Sequence, residues 1–207
     1  MNAQLALQSF NETTIELVRT QEQLDEVAHF RYKIYCEELG YDLHRADLKR
    51  RMLTDDIDER GFTFMAKMNG EIVGTGRISE ITDADISHYP ELNLQQIVDR
   101  YGKSYFVTKF MVRADLRKSH VFMEIAARCY EFSTTRGARA FVVFCYDHLC
   151  PTFKKIGFRS YMAPTTIADF GRVNPIVLEN TEENLRKVRS PLLRAYRRLF
   201  PAVTSVR

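Results

Sequence analysis

The segment from Tyr105 to Phe132, YFVTKFMVRADLRKSHVFMEIAARCYEF, constrains the fold more than any other stretch of this chain. Tyr105–Val112 is nearly continuous in apolar, β-branched and aromatic residues, the pattern of a strand covered on both faces. Arg113, Arg117 and Lys118 then flank a short turn. Beyond it Phe122, Ile125, Ala126, Cys129 and Phe132 recur at the three- and four-residue spacing of one helix face. Strand, cationic turn and helix N-terminus together form a geometry that can hold phosphate, because backbone N–H groups and the helix dipole both face the anion.

The flanking sequence supplies further strands and helices. Thr14–Thr20 alternates as a strand, and a helix is predicted over Gln21–Leu39, with Leu24, Val27, Ile34 and Tyr35 inward and Gly40 as its stop. Residues 41–60 are polar and charged and read as loop with some helix. Phe62–Met68 and Glu71–Ser79 flank Asn69-Gly70, a strong hairpin signal. A short helix is predicted at Leu94–Arg100, a buried strand at Phe141–Cys145, and a short helix from Pro151 to Gly157. Further strands are expected near Phe158–Tyr161 and Pro175–Leu178. Glu182–Phe200 reads as a basic amphipathic helix interrupted or kinked at Pro191.

With 207 residues, 45% of them hydrophobic, the chain can bury one substantial core. A net charge of +3 is too small to indicate nucleic acid, and no nucleic-acid partner is expected. The basic residues do crowd the end of the chain, where Arg186, Lys187, Arg189, Arg194, Arg197 and Arg198 would permit contact with a membrane surface. Cys36, Cys129, Cys145 and Cys150 form no CxxC pair and no metal-ligand spacing, so no metal site is expected and the thiols read as those of a cytoplasmic protein. The opening MNAQLALQSFNE lacks a basic segment followed by an apolar run, so secretion is not expected. No stretch approaches the roughly 20 apolar residues of a membrane span.

The order β-α-β-β-β-α-β-α-β places the chain in the α/β (α+β) class, with a mixed, mostly antiparallel sheet and helices on both faces. With the phosphate-type turn after the fourth strand, this order resembles the GNAT acyltransferase fold. FKKIGF (Phe153–Phe158) is similar to that family's late helix-to-strand turn. FRYKIYCEELGY, the acidic residues 55–58 and a hairpin ending in VGTGRIS resemble, more narrowly, the acyl-homoserine lactone synthases and N-acyl amino acid synthases. The likeness covers roughly residues 14–161. It implies an N-acyltransferase domain over residues 1–178, followed by a basic helical extension over 179–207. The implied reaction moves a long-chain fatty acyl group from an acyl-phosphopantetheine donor, acyl carrier protein or acyl-CoA, to the amine of an amino acid or peptide side chain. No tightly bound cofactor is implied. An acyl-homoserine lactone synthase consuming S-adenosylmethionine is the alternative, and a module that binds acyl carriers without turnover is a third.

Individual residues sharpen this reading. Arg31 lies four residues after Val27 and seven after Leu24, on the apolar stripe of its helix, where an unpaired charge is costly. It is either a scaffold cation with an acidic partner or part of the acceptor pocket, and it matches the early arginine of the synthase pattern. A two-residue turn at Asn69-Gly70 pairs Phe62 with Arg77 and brings Arg77 near the acidic segment. Asp55 and Asp58 fit the acidic pair of the synthases, although Leu53 stands where those enzymes carry a glutamate. A network joining Arg31, Arg77 and at least one aspartate is expected at the acceptor site, with Lys109 and Tyr35 beside it.

On the donor side the resemblance implies Val112, Arg113, Arg117, Lys118, Ser119, His120 and Val121. Arg117 matches the first position of the usual Arg/Gln-x-x-Gly-x-Gly/Ala turn, but His120 and Phe122 replace its glycines. A carrier protein's single phosphate needs less wrapping than the pyrophosphate of coenzyme A. Arg113, Arg117, Lys118, Lys154 and Lys155 would suit an acidic carrier. Backbone N–H groups at Met111 and Val112 are expected to stabilise the oxyanion, with deprotonation by Asp55, Asp58 or ordered water. Phe153 stands where many relatives carry a tyrosine acid, and a phenyl ring cannot protonate a leaving thiolate.

Overall fold

The computed structural model describes residues 13–201, so the reading of the opening MNAQLALQSFNE concerns residues outside it. The described residues form ten strands and seven α-helices. In chain order these are β1 (Thr14–Leu17), α1 (Gln21–Tyr32), β2 (Ala46–Asp47), β3 (Met52–Leu53), β4 (Phe62–Met68), β5 (Glu71–Glu80), α2 (Asp83–His88), α3 (Leu94–Tyr101) and β6 (Ser104–Val112). There follow α4 (Val121–Thr134), β7 (Ala140–Cys145), α5 (Cys150–Ile156), β8 (Arg159–Ser160), β9 (Thr165–Ile167), β10 (Gly171–Glu179), α6 (Glu182–Lys187) and α7 (Leu193–Leu199). The main sheet has eight strands in the order β1-β4-β5-β6-β7-β10-β8, with β9 on β10. Only β6 and β7 are parallel among the pairs whose register is defined, and β10 runs antiparallel to β7, β8 and β9. No helix among the described residues is long and apolar enough to cross a membrane.

The chain divides into two compact units, with β5 and β6 each passing from one to the other: residues up to Arg77 with Lys109–Arg128, and Ile78–Thr108 with residues from Cys129 on. In the first unit Thr20 starts α1 with a reciprocal cap. Its hydroxyl accepts the Gln23 N–H at 3.2 Å, and the Gln23 side chain accepts the Thr20 N–H at 3.3 Å. The helix does not continue to Leu39 as an α-helix. It widens into a π-helix at Lys33–Glu38, where the Leu39 N–H reaches back to the Ile34 carbonyl at 3.0 Å. Gly40, at φ +69°, ends it. Apolar spacing cannot reveal such widening.

Asn69 and Gly70 take φ +53° and +81°, the paired left-handed residues of a type I′ turn. Gly74 and Gly76 then let α4 sit directly on β5: a Cβ on Gly74 would stand 2.7 Å from Ile125 Cδ1, and one on Gly76 2.9 Å from Ile125 Cγ2. Phe30, Ile34 and Met111 form a small buried cluster, with Tyr35 and Ile72 packed on it.

In the second unit Ser104–Phe106 pairs in parallel with Ala140–Val142. Leu92, Leu94, Ile97, Phe106, Val142 and Val177 belong to a core cluster ringed by Tyr89, Phe144 and Phe170. Gly157, at φ +117°, ends α5 as its position predicted.

Several elements depart from what the residue pattern predicts. Val107–Phe110 of β6 is half-buried instead of covered on both faces. The buried residues of α4 are Val121, Ile125, Cys129, Tyr130, Ser133 and Thr134, while Phe122, Ala126 and Phe132 are half-buried. Residues 41–60 contain the short β2–β3 ladder, and β9 has no counterpart among the strands the sequence predicts. The terminal helix is two helices, α6 and α7, broken at Arg189 (φ +53°) and Pro191, with Leu185, Leu192 and Ala195 buried.

Candidate active site

The first unit buries two arginines completely. Arg31 is 0% exposed and Arg77 is 1% exposed, so neither reaches solvent along its stem. Both are held by the segment before β4, where Asp55 and Asp58 cap a short 3-10 turn: the Asp55 carboxylate accepts the Ile57 N–H at 3.1 Å, and that of Asp58 accepts the Asp55 N–H at 3.0 Å. Arg31 Nη1 donates to both Asp58 oxygens at 2.8 and 2.9 Å, and its Nη2 donates to Thr63 Oγ1 at 3.2 Å. Arg77 grips Asp55 with two prongs, at 2.5 and 3.0 Å, and its Nη1 also lies 2.8 Å from Asp58 Oδ1. Asp58 is thus shared by two arginines. Lys109 Nζ lies 3.4 Å from Asp55 Oδ2 and 5.4 Å from the centre of the Tyr35 ring.

Burial alone would raise the Asp55 pKa, but its contacts with Arg77, then Lys109 and Arg31, hold the carboxyl well below the usual carboxylate range. Arg77 is shifted up: desolvation opposes its charge, and Asp55 and Asp58 outweigh it. Arg31 is shifted down by desolvation, with Asp58 opposing. Lys109 moves down too, first through burial and then through the nearby Arg77 and Arg31, with Asp55 opposing. Desolvation pushes the Tyr35 phenol up to about 12. Lys109 also adopts φ +50° in mid-strand, a conformation residues with side chains rarely take.

Arg31, Arg77, Asp55, Asp58, Lys109 and Tyr35 therefore share one cluster. Thr63 and Gly61 belong with them and carried no signal, since a threonine in a strand is ordinary and Gly61 reads as a turn residue. An open pocket of about 920 Å³ is lined by Arg19, Thr20, Arg45, Asp55, Asp58 and Glu59 among others. Arg31, Tyr35, Arg77 and Lys109 do not line it.

The turn after β6 is a separate feature of the same unit. Arg117 Nε donates to the Val112 carbonyl at 3.2 Å, and its Nη2 pairs with Glu38. Arg113 is held by Asp115 at 2.8 Å and reaches Glu71 at 3.3 Å. Ser119 Oγ accepts the Val121 N–H at 3.3 Å as α4 begins. Lys118 and His120 are exposed, and His120 Nε2 lies 3.7 Å from Glu124. Met111 and Val112, just before this turn, are buried.

In the second unit Phe153 packs edge-on against Phe158, with ring centres 5.3 Å apart. The buried Cys145 thiol is pushed up to about 12 by desolvation and by Cys150, 3.6 Å away. Such a thiol is inert as a nucleophile.

The chain has recognisable relatives. The profile of the family described as N-acyl amino acid synthase FeeM matches residues 26–182, about three quarters of the chain. The chain belongs to this family. It is an acyltransferase with a GNAT-like fold. Among solved structures it is similar to FeeM, an N-acyl amino acid synthase from uncultured soil microbes, at 12% identity and a TM-score of 0.67, covering 90% of this chain and 99% of that one. It is also similar to the CoA-dependent acyl-homoserine lactone synthase BjaI, solved with SAM and isopentyl-CoA (14% identity, TM-score 0.67, 87% and 91% covered). A third is the CoA-dependent synthase MesI (21% identity, TM-score 0.63, 88% and 95% covered). No curated protein sequence matches the chain significantly.

Proposed function

We propose that this family member transfers a long-chain fatty acyl group from a phosphopantetheine thioester to the amine of an amino acid or a peptide side chain. The observation that carries the acceptor assignment is the buried Arg31–Asp58–Arg77–Asp55 cluster with Lys109 and Tyr35. It gathers the Arg31 and Arg77 guanidinium groups, the Lys109 amine and the Tyr35 phenol in one place, and such a set of donors suits an acceptor that brings a carboxylate of its own. Asp55 and Asp58 serve there as fixed anions that orient the two guanidinium groups.

The donor's phosphate lies at the turn formed by Val112, Arg113, Arg117, Lys118, Ser119, His120 and Val121. Backbone N–H groups at the start of α4 and the Arg117 guanidinium hold it. The bulk of His120 and Phe122 favours acyl carrier protein over coenzyme A, since the carrier's arm has one phosphate to hold. The neutral amine attacks the thioester carbonyl, and N–H groups at Met111 and Val112 stabilise the oxyanion. Positioning supplies most of the rate. Four free thiols, Cys36, Cys129, Cys145 and Cys150, suit a cytoplasmic site of reaction.

Thiol release tests this reading. Long-chain acyl carrier protein and the matching acyl-CoA are offered separately with amino acids, short lysine peptides and S-adenosylmethionine. Release that requires an amino acid or peptide supports the proposal. Release that requires S-adenosylmethionine makes the chain a lactone synthase, and no release with any pair refutes both.

A further inference from the structure

An amino acid reaches an enzyme as its ammonium ion, and its nitrogen attacks only after losing a proton. Asp55 and Asp58 are poor acceptors for that proton. Both Asp55 oxygens are taken by Arg77, and Asp58 is held by Arg31 and Arg77 together. A carboxylate gripped in this way stays ionised and is a weak base.

Lys109 is placed differently. Its side chain is 10% exposed, and its nearest anionic oxygen, Asp55 Oδ2, is 3.4 Å away and already accepts Arg77 Nη2 at 3.0 Å. Arg31, Arg77, Asp55 and Asp58 sum to zero charge. A protonated Lys109 is therefore a surplus buried cation, while a neutral Lys109 leaves the cluster balanced. The groups that bear on Nζ come from every side: Asp55 before the 3-10 turn, Tyr35 and Cys36 on the π-helix, Arg31 on α1 and Arg77 on β5. Asp55 and the Tyr35 ring favour its proton, while burial, Arg77 and Arg31 oppose it. The left-handed backbone at φ +50° fixes this side chain at an intrinsic conformational cost. Strain, burial and a loosely held amine thus coincide at one residue.

We propose that neutral Lys109 is the general base that takes the first proton from the acceptor's ammonium group. This rests on the acyl-transfer reading. The acceptor nitrogen gives one proton to Nζ, and its freed lone pair forms the bond to the thioester carbonyl carbon. As the C–S bond breaks, the sulfur leaves with its electron pair and takes the second proton of the nitrogen to become the thiol. Lys109 then returns the first proton to solvent, and amide, thiol and one proton result.

The test compares Lys109→Arg and Lys109→Ala in the full chain, with long-chain acyl carrier protein, mixed amino acids and N-acyl amino acid quantified by mass spectrometry. Arginine keeps the charge but cannot give it up. Its kcat should fall by about 100-fold or more, with donor affinity unchanged. Lys109→Ala should be equally slow and should recover part of its rate when methylamine is added, whereas Lys109→Arg should not. Acylated methylamine is a different product and is not counted. An arginine variant keeping more than about a third of the wild-type kcat, with only its acceptor KM raised, would overturn the proposal and make Lys109 an anion anchor. If circular dichroism shows that the arginine variant has not folded, rescue of the alanine variant decides, and a folded alanine variant that methylamine leaves inactive overturns the proposal. A wild type inactive with every amine overturns the underlying acyl-transfer reading as well, so the two failures are distinct.

Discussion

Gly61 lies against the stem of Arg77. A Cβ on this glycine would stand 3.3 Å from both Cγ and Cδ of Arg77 and 2.7 Å from the Ile57 carbonyl oxygen, which also accepts the Gly61 N–H at 2.7 Å. Gly61→Ala must therefore push either the 3-10 turn that carries Asp55 and Asp58 or the arginine they hold. The expected loss is about 1–3 kcal/mol, the usual range for overpacking. It should appear as a lower urea midpoint, with acyl transfer reduced further than donor binding. An unchanged midpoint would mean that the turn yields freely.

Asp58 is the anion shared by Arg31 and Arg77, at 2.8 Å from each. Asp58→Ala leaves Arg31, which is fully buried, without its carboxylate. Removing one partner of a buried pair typically costs about 3–5 kcal/mol. Denaturant unfolding of the variant should show a fall of that order. A fall under about 1 kcal/mol, the size of a surface pair, would contradict the burial of this contact.

Acid should act through Asp55. Its folded-state pKa is depressed by Arg77, so the ionised carboxylate contributes stability that is fully present above the unfolded value of about 3.9. That contribution is lost as the pH falls below this value toward the folded one. The melting temperature of the wild type should drop steeply below about pH 4, and that of Asp55→Asn should depend less on pH over the same range. Parallel curves for the two proteins would count against the pairing.

Arg117 bridges the end of β6 and the π-helix, through the Val112 carbonyl and Glu38. Arg117→Ala should weaken donor binding by about 1.5–3 kcal/mol, the worth of a charge-assisted hydrogen bond. Isothermal titration with acyl carrier protein measures it, and donor affinity equal to wild type would remove Arg117 from the donor site.

Much of this architecture is legible in the residues themselves. Asn69-Gly70 allows little but a tight hairpin, and Pro151 and Gly157 bound a short helix. Arg31 and Arg77 stand out because an arginine on an apolar stripe needs a carboxylate, and Asp55 and Asp58 are the acidic residues within reach. What stays hidden depends on backbone detail. The widening at Lys33–Glu38 and the left-handed Lys109 leave the residue pattern unchanged, since side-chain spacing does not record which carbonyl an N–H finds. The sharing of Asp58 between two arginines is equally invisible, as is the place of Thr63, an ordinary strand residue. The break between α6 and α7 was expected at Pro191, but not its extent, which Ser190 helps fix by donating to the Ile156 carbonyl at 2.5 Å.

The most direct measurement is mass spectrometry of lipid extracts from cells expressing the wild type, set against cells expressing Arg77→Lys. Lysine cannot reproduce the two-pronged hold on Asp55. Wild-type extracts should contain long-chain N-acyl amino acids or acylated peptides, and these should be absent or strongly reduced with the variant while its protein level is maintained. N-acyl homoserine lactones in the wild-type extract, or extracts that match cells lacking the protein, would contradict acyl transfer to an amino acid or peptide amine.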